Sequence, residues 1–427
     1  MNRFAQMRRW RPGRLARNSG LSLVWQVVRT FCLAAYLLLL TRLLGPSAYG
    51  ILSGPLAMAM MFGYLGAGGA GLMMFRDSAR SAAGLSTAWS RLWSASLISI
   101  PVCLAAYAAV TNWLLPGVLS PRIWIPIGIA EVAVAPFTNA AALAFQSMER
   151  FNWGGAISTL PAVARLSGAI ILFFLEPADR LDTYVWIHLG MAMATAWIGV
   201  FALRSRVALS WRLAALPRSW WRDCLGFSTM YFVSGASIDL DKTLVLRNAD
   251  ATTAGLYSAG YRIMSVLTFP AIALVQAMSP RLMRSDPESA SRRLNMVGAA
   301  AMATVLYSIV AAVILYWCGE RVIALFGLKF AGLSGALPAL GVLLVIYNLR
   351  IIPGAVLQSV DRPAMRAGVE ASALPVLYAA SAWLVPRFGL HGAVLAAIVS
   401  EAWIFAASWG MSLRLLRSGR PSPLALR

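Results

Sequence analysis

Acidic residues are scarce in this 427-residue sequence: 16 Asp and Glu stand against 37 Lys and Arg, and charged residues of both signs make up only 12%. Soluble domains carry about 25% charged residues, so a water-soluble globular chain is excluded. Histidine occurs twice and cysteine four times. Cys32, Cys103, Cys224 and Cys318 fall in or at the ends of apolar runs. Their spacing fits neither a metal site nor a disulfide framework, and they read as small buried hydrophobes. With two histidines, a zinc site or histidine-based catalysis has little to draw on. Also missing are the alternating segments of about ten residues that mark a membrane β-barrel. No long polar loop is left for an extramembrane catalytic domain, and no nucleophile–base pair or paired carboxylate stands out. The chain is not expected to be an enzyme or to hold a metal or cofactor.

What the sequence has is apolar length. Hydrophobic residues reach 59% and mean hydropathy +0.69. Runs near twenty residues, long enough to cross about 30 Å of hydrocarbon, recur from end to end. They predict an all-α polytopic membrane protein with about twelve transmembrane helices. The first six lie near 19–44, 49–75, 88–110, 122–146, 152–175 and 183–203; the second six lie near 224–247, 254–280, 294–317, 333–357, 367–386 and 390–413. Two echoes divide the set. Residues 50–53 (G-I-L-S) return as 255–258 (G-L-Y-S), and 146–150 (Q-S-M-E-R) return as 358–362 (Q-S-V-D-R). Their similar offsets argue for two homologous, pseudo-symmetric six-helix lobes, at 19–203 and 223–413. A basic leader (1–18), a basic linker (204–222) and a basic tail (414–427) complete the chain.

The net charge of +21 would suggest nucleic acid in a soluble protein. Sorted by loop, it has another cause. With the N-terminus inside, 25 of the 37 basic residues fall on the cytoplasmic side, 7 on the other side and 5 within spans. This asymmetry predicts a multi-pass membrane protein with both termini in the cytoplasm and leaves no nucleic-acid partner to invoke. The leader precedes an apolar run too long for a signal peptide and is expected to be retained. In the linker, Trp211, Trp220 and Trp221 alternate with arginines, a pattern suited to contact with lipid headgroups. The glycine-rich run 63–71 (G-Y-L-G-A-G-G-A-G) lacks the lysine of a phosphate-cradling loop and is expected to pack helices closely.

Charges inside spans are expensive and are paired or functional. Arg29, Arg165 and Glu401 fall near mid-membrane, Glu131 and Arg350 somewhat off-centre. Asp239, Asp241, Lys242 and Arg262 lie in the outer half of spans seven and eight. The i, i+3 spacing lets Asp239 neutralise Lys242, Asp241 could meet Arg262, and Glu131 could meet Arg165. Arg29 has no such candidate. A cavity presenting Arg29, Arg165, Arg262 and Arg350 would favour an anionic, phosphate-bearing cargo, because the guanidinium fork matches phosphate oxygens. Glu131, Asp239, Asp241, Lys242 and Glu401 are the candidates for charge pairing or for proton or sodium coupling.

Several motifs, in order, resemble one family. They are 41–53 (T-R-L-L-G-P-S-A-Y-G-I-L-S) and 238–262, where Asp241-Lys242 precedes A-G-L-Y-S-A-G-Y-R. They continue with 269–284 (F-P, then S-P-R-L-x-R), 355–362 (A-V-L-Q-S-V-D-R) and 386–393 (P-R-F-G-L-H-G-A). The set is similar to the Wzx-type polysaccharide flippases of the multidrug/oligosaccharidyl-lipid/polysaccharide (MOP) exporter superfamily. The resemblance implies a MATE-like fold of two six-helix lobes about a cavity that opens alternately to each side. It also implies a cargo of oligosaccharide on undecaprenyl pyrophosphate, with a polymerase and glycosyltransferases of the same pathway as partners beside membrane lipids. Arg29 and Arg165 match no family motif, whereas Asp241, Lys242, Gly255, Tyr257 and Arg262 do. The alternatives are a drug or cation antiporter of the same superfamily, which would want an acidic and aromatic cavity, and a lipid II flippase, a branch that usually has two further spans.

Overall fold

The computed structural model describes residues 14–80, 84–175, 177–284, 290–359 and 363–417. Residues 1–13 of the leader, 418–427 of the tail and Val360, Asp361 and Arg362 of the second echo lie outside the described residues. The described part is helical, in chain order α1 (Arg14–Gly63), a π-helix (Tyr64–Gly68), α2 (Gly69–Arg80), α3 (Leu85–Leu114) and α4 (Pro121–Gly128). A second π-helix (Ile129–Val134) follows, then α5 (Ala135–Ser147), α6 (Phe151–Leu175), α7 (Arg180–Arg204), α8 (Arg218–Asn248), α9 (Ala251–Leu267), α10 (Phe269–Arg284) and α11 (Ala290–Phe326). A 3₁₀ turn (Leu328–Ala336) leads into α12 (Leu337–Ser359) and α13 (Pro363–Arg417).

Among the described residues, eight helical runs are long and apolar enough to cross a membrane, and nine if a bent pair counts as one span. That pair, Ala251–Leu267 with Phe269–Ser279, is bent by 42°. Two of the eight runs, Val24–Ala67 and Met365–Leu415, each hold two of the spans read in the sequence. They are broken at Gly45 (φ 73°) and Gly389 (φ 53°). At Gly45 the reason is local. A glycine takes the left-handed turn that ends one helix, and Pro46 starts the next where its missing N–H is no loss. α8 falls short of the apolar test because it carries Asp239, Asp241 and Lys242. Counted this way, the helices accommodate the twelve spans.

The chain forms two compact units that do not follow the sequence halves. The first comprises Met1–Leu40, Phe62–Ala108 and Ile125–Thr229; the second comprises Thr41–Met61, Ala109–Trp124 and Met230–Arg427. In the first unit, Met73, Met74, Trp89, Leu92, Phe145, Ile157, Leu203 and Trp220 share one buried core. The glycine-rich run sets the spacing there. A Cβ on Gly63 would stand 2.6 Å from the Glu131 carbonyl oxygen, one on Gly66 2.8 Å from that of Val132, and one on Gly69 2.6 Å from that of Cys224. The linker rests on protein in this unit. Trp211 meets Trp89 and Trp93 edge-on, Ser90 donates to the Ser210 carbonyl, and the Ala214 amide donates to Ser94. At the end of α2, Arg76 bonds Asp223 at 3.0 Å. That hydrogen bond holds the Arg76 guanidinium above its ordinary pKa.

In the second unit the first echo becomes a physical contact. Thr41–Met61 joins this unit because its glycine seats on α9. A Cβ on Gly50 would lie 1.9 Å from the Ala251 carbonyl oxygen, and one on Gly255 would lie 1.9 Å from that of Pro46. Shifting Pro46, Gly50 and Ser53 by the repeat offset gives Ala251, Gly255 and Ser258, so each half presents to the other the surface it receives. Ser53 Oγ and Ser258 Oγ complete the seam at 2.8 Å, and Thr243 donates to the Gly54 carbonyl at 2.8 Å. Gly50→Val or Gly255→Val should therefore destabilise the protein by about 3 kcal/mol or more through backbone overlap. Gly226→Ala, where nothing lies within 4 Å, should be neutral or slightly stabilising. The melting temperature of the detergent-purified protein reads both. Asp250 caps α9 by accepting from the Thr253 amide and hydroxyl. Burial opposes its ionisation, but these bonds hold the carboxyl below its ordinary pKa. Asp250→Ala should cost about 1 kcal/mol, and the wild-type contribution should fade as pH falls below about 4, through the folded pKa.

Candidate functional site

Each unit holds its own cluster of ionisable groups within the spans. In the first unit the buried Glu131 sits in the π-helix Ile129–Val134, a local widening that often accompanies functional positions. Pro136 follows at the start of α5. Arg165 approaches from α6, one turn beyond Pro161, and its Nη2 lies 2.6 Å from Glu131 Oε1. The pairing expected for these two forms. His188 of α7 was not anticipated: its Nε2 lies 3.0 Å from the same Glu131 oxygen. Its cue in the sequence is slight, a single imidazole in the stretch 183–203 that has no Asp, Glu, Lys or Arg. Tyr184 stacks on the His188 ring at 6.1 Å and donates to the Tyr36 hydroxyl at 3.0 Å. Glu131, Arg165 and His188 line a small cavity with Thr138, Pro161 and Thr195.

Arg29, on α1, is different. Its side chain is exposed, and no ion pair or hydrogen bond reaches it among the described residues. It lies within electrostatic range of Arg165 and Tyr64, so two cations face one region of this unit and Glu131 answers only one of them.

In the second unit Lys242 is 2% exposed and fully engaged. Its Nζ lies 2.9 Å from Asp239 Oδ1, 3.1 Å from Asp241 Oδ1 and 2.8 Å from the Ile238 carbonyl oxygen, and 3.8 Å from the centre of the Tyr261 ring. The Asp239–Lys242 pair matches its i, i+3 spacing. Asp241 is committed to Lys242 and to the Tyr257 hydroxyl in place of the Arg262 partner considered from sequence. The reason is rotation: Tyr257 lies on the buried face of α9, whereas Arg262 is exposed.

Arg350 and Glu401 pair with each other, a match that the sequence did not suggest. Arg350 Nε stands 2.9 Å from Glu401 Oε2 with both side chains buried, and the guanidinium lies over the Tyr347 ring at 4.6 Å. The angle is poor, and Arg350 Nη1 and Glu401 Oε2 make no aligned hydrogen bond. Glu370 also escaped the sequence reading; it accepts from Arg366 Nε at 2.9 Å and from Ser234. Arg350→Met alone should destabilise the protein by about 3–5 kcal/mol, because it strands a buried carboxylate. Arg350→Met with Glu401→Leu should recover most of that loss, as melting temperatures of the single and double variants would show.

The comparisons agree with this architecture. No curated protein matches the chain significantly. Among solved structures, it resembles an inward-facing multidrug-resistance MATE family transporter of the MOP superfamily at 12% identity and TM-score 0.72, covering 93% of this chain and 98% of that one. It resembles the lipid II flippase MurJ in an inward closed conformation at 12% identity and TM-score 0.69, covering 93% and 92%. A MOP superfamily transporter from Pyrococcus furiosus, described as having a binding pocket of reverse polarity, matches at 14% identity and TM-score 0.63, covering 96% of each chain. At these identities the likeness establishes the fold, a MATE-like multi-pass helical membrane architecture. A family profile described as Polysaccharide biosynthesis protein matches residues 15–286, well over half of the sequence. The chain belongs to the polysaccharide biosynthesis protein family.

Proposed function

We propose that the protein is an alternating-access flippase for an oligosaccharide carried on undecaprenyl pyrophosphate, working in the bacterial inner membrane with both termini in the cytoplasm. The observation that carries this reading is Arg29. An arginine in a membrane helix costs about 2.5–3.5 kcal/mol even on the most lenient scale, and Arg29 has no partner among the described residues to offset it. Another cation, Arg165, acts on it electrostatically. Two guanidinium groups beside one carboxylate leave a net positive site, which suits the forked oxygens of a pyrophosphate. The family, whose description is biosynthetic, supports a glycan cargo over a drug. The same surplus of positive charge disfavours an organic cation as substrate. Glycosyltransferases and a polymerase would be the pathway partners, and Glu131 or Glu401 could couple a proton or a sodium ion to the cycle.

In a strain lacking the protein, lipid-linked glycan should accumulate on the cytoplasmic leaflet and surface polysaccharide should be lost. The wild-type chain should restore surface glycan. Arg29→Ala should restore it about 10- to 100-fold less well at equal expression, the scale of one lost charge-assisted contact, and Arg29→Lys should retain part of the function. Full restoration by Arg29→Ala would overturn the cargo assignment.

A further inference from the structure

One face of α7 is left uncovered by protein along its length. Trp186, Gly190, Met193, Trp197 and Phe201 recur at helical spacing and are all exposed, and the Trp197 and Phe201 rings stack at 5.3 Å. Three residues further along this stripe stands Arg204, in the last turn of the helix. The backbone beyond it is fixed. The Ser205 amide donates to the Phe201 carbonyl and the Arg206 and Val207 amides donate to that of Leu203, while Val207 and Leu209 pack on the buried core. Arg206 lies 5.1 Å from the centre of the Trp153 ring of α6, and Trp153 stacks on the buried Phe145. An aromatic platform thus holds a second guanidinium just past the end of α7. Arg204 and Arg206 are exposed and form no ion pair among the described residues. The sequence has no Asp or Glu from 183 to 222, and Asp223, the first acid beyond, is held by Arg76. Arg204 complements the helix dipole, but Arg206 lies outside the helix and gains nothing comparable.

We propose that this end of α7 binds an anionic phospholipid, with its phosphate on Arg204 and Arg206 and an acyl chain along the stripe from Phe201 towards Trp186. An exposed apolar stripe within a span accepts any lipid chain. Two unanswered guanidinium groups at the end of that stripe select the headgroup, because a charge-assisted bond to phosphate is strong and a zwitterionic lipid brings its own ammonium to weaken it. With the linker in the cytoplasm, the lipid belongs to the inner leaflet, the one that carries negative surface charge. The site uses none of the residues assigned to the cargo.

Native mass spectrometry of the detergent-purified full-length protein, titrated with phosphatidylglycerol or with phosphatidylcholine of the same chains, reads the preference directly. Phosphatidylglycerol should bind about twentyfold more tightly, since each arginine beside an anionic headgroup contributes about fivefold. Arg204→Gln with Arg206→Gln should bring the ratio close to one. Arg122→Gln with Arg321→Gln removes the same charge from exposed positions elsewhere and should leave the ratio intact. The wild-type protein gives a second reading that does not depend on a variant folding. Phosphatidylglycerol with a photoreactive group at the head of one acyl chain should cross-link mainly within 150–157 and 197–207. A ratio near one in the wild type, an equal fall in the Arg122 and Arg321 variant, or cross-links spread evenly over the spans would overturn the proposal. Free glycerol phosphate competing as strongly as the lipid would overturn it too, by making the ligand a soluble phosphate. None of these outcomes touches the assignment of Arg29 to the cargo.

Discussion

A charge within hydrocarbon must find a counter-charge, a ligand or water, and the interior of this protein is arranged around that requirement. Lys242 is held by two carboxylates, a carbonyl oxygen and an aromatic face. Arg350 has Glu401 and the Tyr347 ring, Glu370 has Arg366 and Ser234, and Glu131 answers both Arg165 and His188. Replacing such pairs with apolar residues can be neutral or stabilising, so their presence points beyond stability. Against this background Arg29 stands without an ion pair or hydrogen bond among the described residues.

The second constraint is close backbone approach. Gly50 and Gly255 each sit where a single methyl group would overlap a carbonyl oxygen of the opposing helix. The two positions are related by the same offset as the sequence echo, so the repeat meets itself in an isologous contact. This explains why Thr41–Met61 belongs to the second compact unit even though it lies in the first half of the sequence. A four-residue resemblance that looked faint in the sequence is the packing surface at which the halves of the chain touch within that unit.

Much of the fold was legible because each relevant signal is local. Spans are read from apolar length, and the breaks at Gly45 and Gly389 fall between spans where glycine frees the backbone. The Asp239–Lys242 pair lies one helical turn apart and needs no knowledge of neighbours. Pairings across helices depend on rotation about each axis, which a uniformly apolar sequence does not encode. That is why Arg350 and Glu401 were seen as charges but not as partners, and why Asp241 turned to Tyr257 instead of Arg262. His188 was missed for a related reason. A neutral imidazole in an apolar helix carries no charge signal, and its meaning comes only from a carboxylate 57 residues away in sequence.

The central claim, an anion-selective flippase for a pyrophosphate-linked glycan, is tested most directly by translocation in proteoliposomes. Purified protein would be reconstituted with a fluorescent oligosaccharide on a polyprenyl pyrophosphate, and the fraction protected from a membrane-impermeant quencher followed in time. The account predicts that the protein moves the glycan between leaflets and that inorganic pyrophosphate slows this movement by competition. A protein that leaves the glycan in its original leaflet while transporting a lipophilic organic cation would contradict it.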